Sequence, residues 1–324
     1  MKKIRVGIVG FGNIGLGAEK AVTAASDMEL VAVFSRRSPE KIKTLNEKTV
    51  VLPLEKAFDM PSSIDVMILC GGSATDLPEQ GPLFAKHFNI VDSFDTHAKI
   101  PQYLARVGAA ATSTTAVISS GWDPGLFSVM RTLMGAMLPD GDSYTFWGRG
   151  VSQGHSVAIR SIAGVAGAIQ YSVPIEEAVE KVRSGNRPEL TARQKHLREC
   201  YVAVKEGFDR AEIEMKIKTM PDYFADYDTS VTFVSEEELR ANHSKMPHGG
   251  LVLRSGSTGE NSHVMEFSLE LESNPDFTAS ILVASARAAA RLAAEGAYGA
   301  KTLIDIPLYY FHEDDRMKLI TDLL

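Results

Sequence analysis

The sequence predicts an α/β fold: a doubly wound parallel sheet, then an α+β domain with a mostly antiparallel sheet. Three observations carry this. The chain begins with a short apolar strand that runs into glycines spaced GxGxxG and then into a helix, the entry of a Rossmann-type unit. Apolar strands and helices then alternate as far as about residue 122. From Asp142 onward the pattern changes to strand-like runs joined by short connections, which favours antiparallel pairing.

The first strand is carried by Ile4, Val6, Ile8 and Val9 and stops at Gly10. Gly10 permits a tight turn, Phe11 follows it, Gly12 lets a pyrophosphate approach the backbone, and Gly15 lets the helix pack on the strand. Asn13 and Ile14 open that helix, whose N-terminus offers free N–H groups to phosphate. A second strand, Leu30 to Phe34, ends at Ser35, Arg36, Arg37 and Ser38. An NAD site normally places a carboxylate there for the ribose hydroxyls, whereas two guanidiniums flanked by hydroxyls suit a 2′-phosphate. The expected cofactor is therefore NADP. After a polar segment, Ile42 to Lys48, and a brief apolar run, Val50 to Leu54, the next strand is Asp65 to Cys70. It turns through Gly71, Gly72, Ser73, Ala74 and Thr75 into a helix over Leu77 to Phe88. Ligands of open α/β sheets lie beyond the carboxyl ends of the strands, so Cys70 to Thr75 should border the cofactor as well. A strand over Asn89 to Val91 ends at Asp92, a helix covers about 101–111, and a strand over Thr115 to Ser119 ends at Ser120, Gly121, Trp122 and Asp123. The alternation stops there.

The later strands are Tyr144 to Trp147, Ala168 to Val173, Cys200 to Val204, Ser230 to Val234, Leu251 to Arg254 and Val264 to Leu271. Helices fall at Ile175 to Arg183 and Arg210 to Met220. An alanine-rich helix, Thr278 to Glu295, ends at Gly296, and its small residues suit close packing back on the first domain. A last amphipathic helix lies within Asp305 to Leu324. The expected organisation is a cofactor domain over 1–122, a second domain over 123–274, and C-terminal helices over 275–324 that return to the first.

Composition narrows the function. The 324 residues are 44% hydrophobic and 23% charged, ordinary for a soluble globular protein. No apolar run approaches the roughly 20 residues that span a bilayer, so the reading is cytoplasmic, with no membrane. Cys70 and Cys200 read as buried free thiols, and no metal site is expected. A net charge of −7 with dispersed cations argues against nucleic acid.

Asp92 and Asp123 each fall just past a predicted parallel strand, where they would face the reacting end of the cofactor. Singly, each suits a helix cap, and Asp123 before Pro124 fits an N-cap. Together, with Trp122 and Trp147 as rigid apolar walls, they suit an ammonium group. In the second domain Arg198, Ser172 and His248 are all side chains that bind carboxylates, with Arg198 supplying a bidentate fork. Spacing alone does not bring them together.

Along nearly its whole length the chain resembles the meso-diaminopimelate D-dehydrogenase family. The segments that carry the resemblance include GIVGFGNIG (Gly7 to Gly15), FSRRS (Phe34 to Ser38), CGGSATDLPEQ (Cys70 to Gln80), VDSFDTH (Val91 to His97), SSGWDPG (Ser119 to Gly125), TFWGRGVSQGHS (Thr145 to Ser156), MPHGG (Met246 to Gly250) and NPDFTAS (Asn274 to Ser280). The resemblance implies that Asp92 and Asp123 hold the amino group at the reacting D-centre. Trp122, Phe146, Trp147, Gln153 and Gly154 would line the pocket, and Ser172, Arg198, His248 and Asn274 would bind the distal L-centre. It further implies a homodimer whose second domain serves substrate binding and dimerisation. The reaction would be NADP-dependent, reversible oxidative deamination of meso-2,6-diaminopimelate, releasing ammonia. Two departures stand out: Val157 where relatives often carry Asp, and Ser172 where they often carry Thr. Alternative readings of the same residues are a broad D-amino acid dehydrogenase, a dihydrodipicolinate reductase-like enzyme, and a non-catalytic NADP-sensing protein.

Overall fold

The structure, a computed structural model, describes residues 3–324. In chain order its elements are β1 (Ile4–Val9), α1 (Asn13–Ala24), β2 (Met28–Ser35), β3 (Val51–Pro53), β4 (Val66–Leu69), α2 (Leu77–Ala85), β5 (Ile90–Asp92), α3 (Ile100–Ala110), β6 (Thr115–Val117) and α4 (Leu126–Met137). There follow β7 (Gly141–Trp147), β8 (Gly150–Val151), α5 (Gln153–Arg160), β9 (Val165–Pro174), α6 (Glu176–Arg183), α7 (Ala192–Lys195), β10 (His196–Val204), α8 (Arg210–Lys218), β11 (Asp228–Phe233), α9 (Glu236–Asn242), β12 (His248–Thr258) and β13 (Asn261–Leu271). The chain closes with α10 (Asn274–Ala294), β14 (Gly299–Lys301) and α11 (Arg316–Leu323). Two compact units result, one running to Val129 and resuming at Pro275, the other spanning Met130–Asn274. The first division thus falls within α4, seven residues beyond the end of the βα alternation at 122.

In the first unit seven strands form one sheet in the order β14-β6-β5-β4-β1-β2-β3, every neighbouring pair parallel. Both faces of such a sheet are covered, so its strands are apolar throughout rather than alternating. Val66 to Leu69 are all fully buried. Val66 and Ile68 join one core, packed by α1 and α10, while Met67 and Leu69 join another with Leu77, Phe84, Tyr103 and Val107 of α2 and α3. Helix α10 sends Ala279, Leu282, Val283 and Ala286 into the core that holds Ala18 and Val22 of α1. The approach is close: a Cβ on Gly17 would stand 2.9 Å from that of Ala279. Arg287 of α10 also grips Asp27 through two bonds of 2.6 and 2.8 Å. Among the described residues α10 is the one helix long and apolar enough to cross a membrane. Its buried side is this core.

The second unit contains two sheets where the sequence suggests one. Strands β11-β10-β9-β8 form the first and β13-β12-β7 the second. The second is antiparallel throughout, but β10 and β11 are parallel, because α8 carries the chain back between them. Helices α5, α7 and α9 lie in stretches where the sequence shows no apolar period, and β14 is three residues long. None of these is expected from the pattern.

Candidate active site

The turn after β1 and the turn after β4 meet where the strand order reverses, the place at which such sheets bind ligands. A cavity of about 280 Å³ opens there, lined among others by Gly10, Gly12, Ser35, Arg36, Arg37, Gly71, Gly72 and Asp76. The glycines have distinct reasons. Gly10 sits at φ +87°, and a Cβ on Gly15 would lie 2.3 Å from the Gly10 carbonyl oxygen. A Cβ on Gly12 would meet nothing within 4 Å, so the space before α1 is open. Gly12 caps α1 without a side-chain bond, and no acidic residue stands in the first turn. An uncapped helix N-terminus facing an open space fits a pyrophosphate. At the adenosine end the Ser35 hydroxyl accepts from the Arg37 amide at 3.1 Å, the Arg37 guanidinium donates to the Phe11 carbonyl, and Arg36 pairs with Asp76 at 2.8 Å. Asp76 also accepts from Gly72 N at 2.9 Å and was not foreseen as part of this site. Cys70 lines the cavity only partly buried, Cys200 is fully buried, and burial pushes both thiols up to about 12.

At the ends of β5 and β6 the two aspartates differ. The sequence reading opens both toward the cofactor, but Asp92 is completely buried. Its carboxylate accepts from Tyr103 Oη at 2.7 Å and from the amides of Phe94 and Ser119, each at 3.0 Å. Burial raises its pKa, and these donors offset part of that rise. Asp92 therefore ties the loops after β5 and β6 to each other and to α3. Asp123 remains partly exposed. It precedes α4 by three residues, which leaves Gly125 rather than Asp123 at the cap position. Trp122 is buried edge-on against Phe127 at 5.2 Å.

In the second unit, sheet register assembles what spacing does not. Arg198 on β10 stands opposite Ser172 on β9, and its guanidinium donates to the Ser172 hydroxyl. Ser172 in turn stands opposite Gly150, and a Cβ there would come within 2.4 Å of the His248 ring. Gly150 is thus what allows His248 up to this end of the sheet. Gln153 reaches Met246 Sδ at 2.9 Å, and Asn274 N donates to Met246 O at 2.9 Å, so both border the MPHGG loop. Gly154 is exposed with open space before its Cα. Trp147 stacks on His196 at 5.2 Å, and its amide donates to His196 Nε2 at 2.8 Å. Phe146 departs from expectation. It is fully buried in a core with Val179, Val182 and Leu253, because its side chain falls on the opposite face of β7 from Trp147.

The electrostatics of this cluster are unusual. Arg198 is 7% exposed, with its guanidinium 3.9 Å over the Tyr227 ring, and no carboxylate among the described residues lies within 4 Å of it. Burial holds its pKa below the usual arginine value. The surrounding histidines add no anion. Burial lowers His248, lowers His155 to about 4 with help from Arg198, and lowers His196 to about 3. A buried cation with no counter-ion is a seat for an anion supplied from outside. Tyr227 and His196 escape sequence reading because neither lies in an informative motif, and His155, although inside the TFWGRGVSQGHS segment, is of a type more often packed than functional.

A doubly wound dinucleotide unit with a basic 2′-phosphate loop, in one chain with a buried seat for a carboxylate, defines an NADP-dependent oxidoreductase of small acids. Residues 121–273 match the Diaminopimelic acid dehydrogenase C-terminal domain family. The chain is 60% identical over 310 residues to the meso-diaminopimelate D-dehydrogenase of Ureibacillus thermosphaericus, covering 95% of each. It superposes with a TM-score of 0.93 on the Corynebacterium glutamicum diaminopimelate dehydrogenase in complex with diaminopimelate, at 43% identity and full coverage of both chains. An engineered D-amino acid dehydrogenase bound to NADP⁺ gives 0.88 at 42% identity, again with full coverage. The chain belongs to the meso-diaminopimelate D-dehydrogenase family.

Proposed function

We propose that this chain catalyses the reversible, NADP-dependent oxidative deamination of the D-centre of meso-2,6-diaminopimelate, giving L-2-amino-6-oxopimelate and ammonia. The observation that carries the proposal is the buried Arg198 with no counter-ion among the described residues, in a chain of this family whose strand-end cavity is lined by Gly10, Gly12, Arg36 and Arg37. Bound NADP⁺ supplies the hydride acceptor. Asp123 orients the reacting amine through its carboxylate, and Trp122 provides an apolar wall. Asp92 acts from behind, as a positioning residue for the strand-end loops, rather than by touching the amine. Arg198, Ser172 and His248 take the far carboxylate, with Trp147, Gln153, Gly154 and Asn274 around it. Because burial keeps His248 neutral at pH 7, it contributes a neutral ring donor. The imine left by hydride loss is hydrolysed by water, which releases ammonia.

The chain is further read as a cytoplasmic homodimer, as its family resemblance implies, and sedimentation at equilibrium tests the dimer. The activity is tested by NADP⁺ reduction with meso-diaminopimelate, its L,L isomer and simple D-amino acids, and by NADPH oxidation that depends on ammonia. Activity on the meso form and none on the L,L isomer is the expected result. Cofactor binding without turnover would favour a sensing protein and sink the proposal.

A further inference from the structure

Among the described residues nine buried side-chain polar atoms have no hydrogen-bond partner, and four of them belong to three residues on one sheet face: Gln170 Nε2 and Oε1, Arg198 Nε, and Thr229 Oγ1. Register puts these three side by side. Arg198 stands opposite Ser172 on β9 and opposite Thr229 on β11, and Gln170 follows Ser172 at the next position on the same side of β9. Gln170 is 0% exposed and Ser172 5%. A fully buried amide with neither donor nor acceptor engaged is costly to leave unmet.

The unmet atoms also specify the chemistry of a group that would meet them. A lone carboxylate only accepts, and would leave the Gln170 carbonyl unmet. A lone ammonium only donates, and would leave Arg198 Nε unmet. A zwitterionic α-amino-acid head group satisfies both. We infer that Gln170 and Thr229 join Arg198 and Ser172 in seating the far, non-reacting α-amino-acid group of the substrate. Its carboxylate lies at Arg198 Nε, and its ammonium donates to Gln170 Oε1 and Thr229 Oγ1. This inference rests on the function proposed above, and it makes two unassigned residues determinants of specificity.

The test uses the full chain as wild type, Gln170→Met and Thr229→Val, with three substrates for NADP⁺ reduction. Meso-diaminopimelate carries both far groups, D-2-aminopimelate lacks the far amine, and D-norleucine lacks both. In each variant KM for meso-diaminopimelate should rise roughly tenfold, the loss that follows a missing bond to a charged group, while KM for D-2-aminopimelate moves by less than about threefold. An unchanged KM in both variants would show that the atoms hold only water and overturn the inference. So would equal losses on all three substrates, which mark a structural role. Should Gln170→Met not fold, Thr229→Val on the outer strand β11 still decides the matter. Melting of the wild type adds a second readout: meso-diaminopimelate should raise the midpoint more than D-2-aminopimelate does, and equal shifts overturn the seat. A wild type inactive on meso-diaminopimelate would instead sink the proposed function itself.

Discussion

Replacing Arg198 with Met should separate function from stability. In the free chain the guanidinium is buried with no counter-ion among the described residues, and its pKa is held down by that burial. Removing it relieves a desolvated charge but forfeits the contact with the Tyr227 ring and the bond to Ser172. The two sides are each about 1–2 kcal/mol, so folding stability should change by no more than about 1 kcal/mol in either direction. With substrate bound, the far carboxylate loses its charged partner. That costs roughly 2–5 kcal/mol, or about 30- to 4,000-fold in kcat/KM on meso-diaminopimelate. D-amino acids with uncharged apolar side chains should react as well as before or better, since for them a buried guanidinium is a liability. The assay pairs NADP⁺ reduction on both substrate classes with a melting curve. A marked fall in the melting midpoint together with equal losses on both classes would show that Arg198 serves the fold, and the carboxylate seat would have to be abandoned.

Three other perturbations test separate parts of the site. Arg36→Ala combined with Arg37→Ala should lower the preference for NADP over NAD at least tenfold in titrations of both cofactors, since charge-assisted contacts contribute about 1.5–3 kcal/mol each; an unchanged ratio would remove the 2′-phosphate from this loop. Asp123→Asn should reduce kcat/KM while leaving NADP affinity and the melting midpoint nearly unchanged, and normal turnover would mean that Asp123 does not meet the amine. Stability should fall as pH is lowered from about 6.5 toward 4. His196 is held near 3 and His155 near 4 by burial, against about 6.5 in the unfolded chain, so in that window the unfolded state binds protons that the folded state does not. His196 alone accounts for about 2 kcal/mol at pH 5, and its Nε2 must stay unprotonated to accept from the Trp147 amide. Melting midpoints measured at pH 7 and 5 should therefore drop in the wild type and drop less in His196→Gln, whereas a flat wild-type profile would contradict the assignment.

Local chemistry was legible in the sequence wherever it is written in consecutive residues. The Gly10, Gly12 and Gly15 turn, the Arg36 and Arg37 loop and the strands of the parallel sheet follow from short-range sterics, charge and apolar runs, and those do not depend on distant partners. Arg198, Ser172 and His248 could be picked as carboxylate binders by type. Their meeting could not be read, because it is made by the pairing of β9 with β10 and by the room that Gly150 leaves for His248. Tertiary structure also decided that Asp92 is sealed beneath Tyr103 while Asp123 stays open, and that Phe146 packs in a core while Trp147 meets His196. It alone showed that, among the described residues, Arg198 has no counter-ion and Gln170 and Thr229 have side-chain atoms unsatisfied beside it. The physical reason is the same in each case. Burial, and hence the cost of a charge or an unmet hydrogen bond, is a property of what surrounds a residue in space, and residues far apart in the chain supply those surroundings.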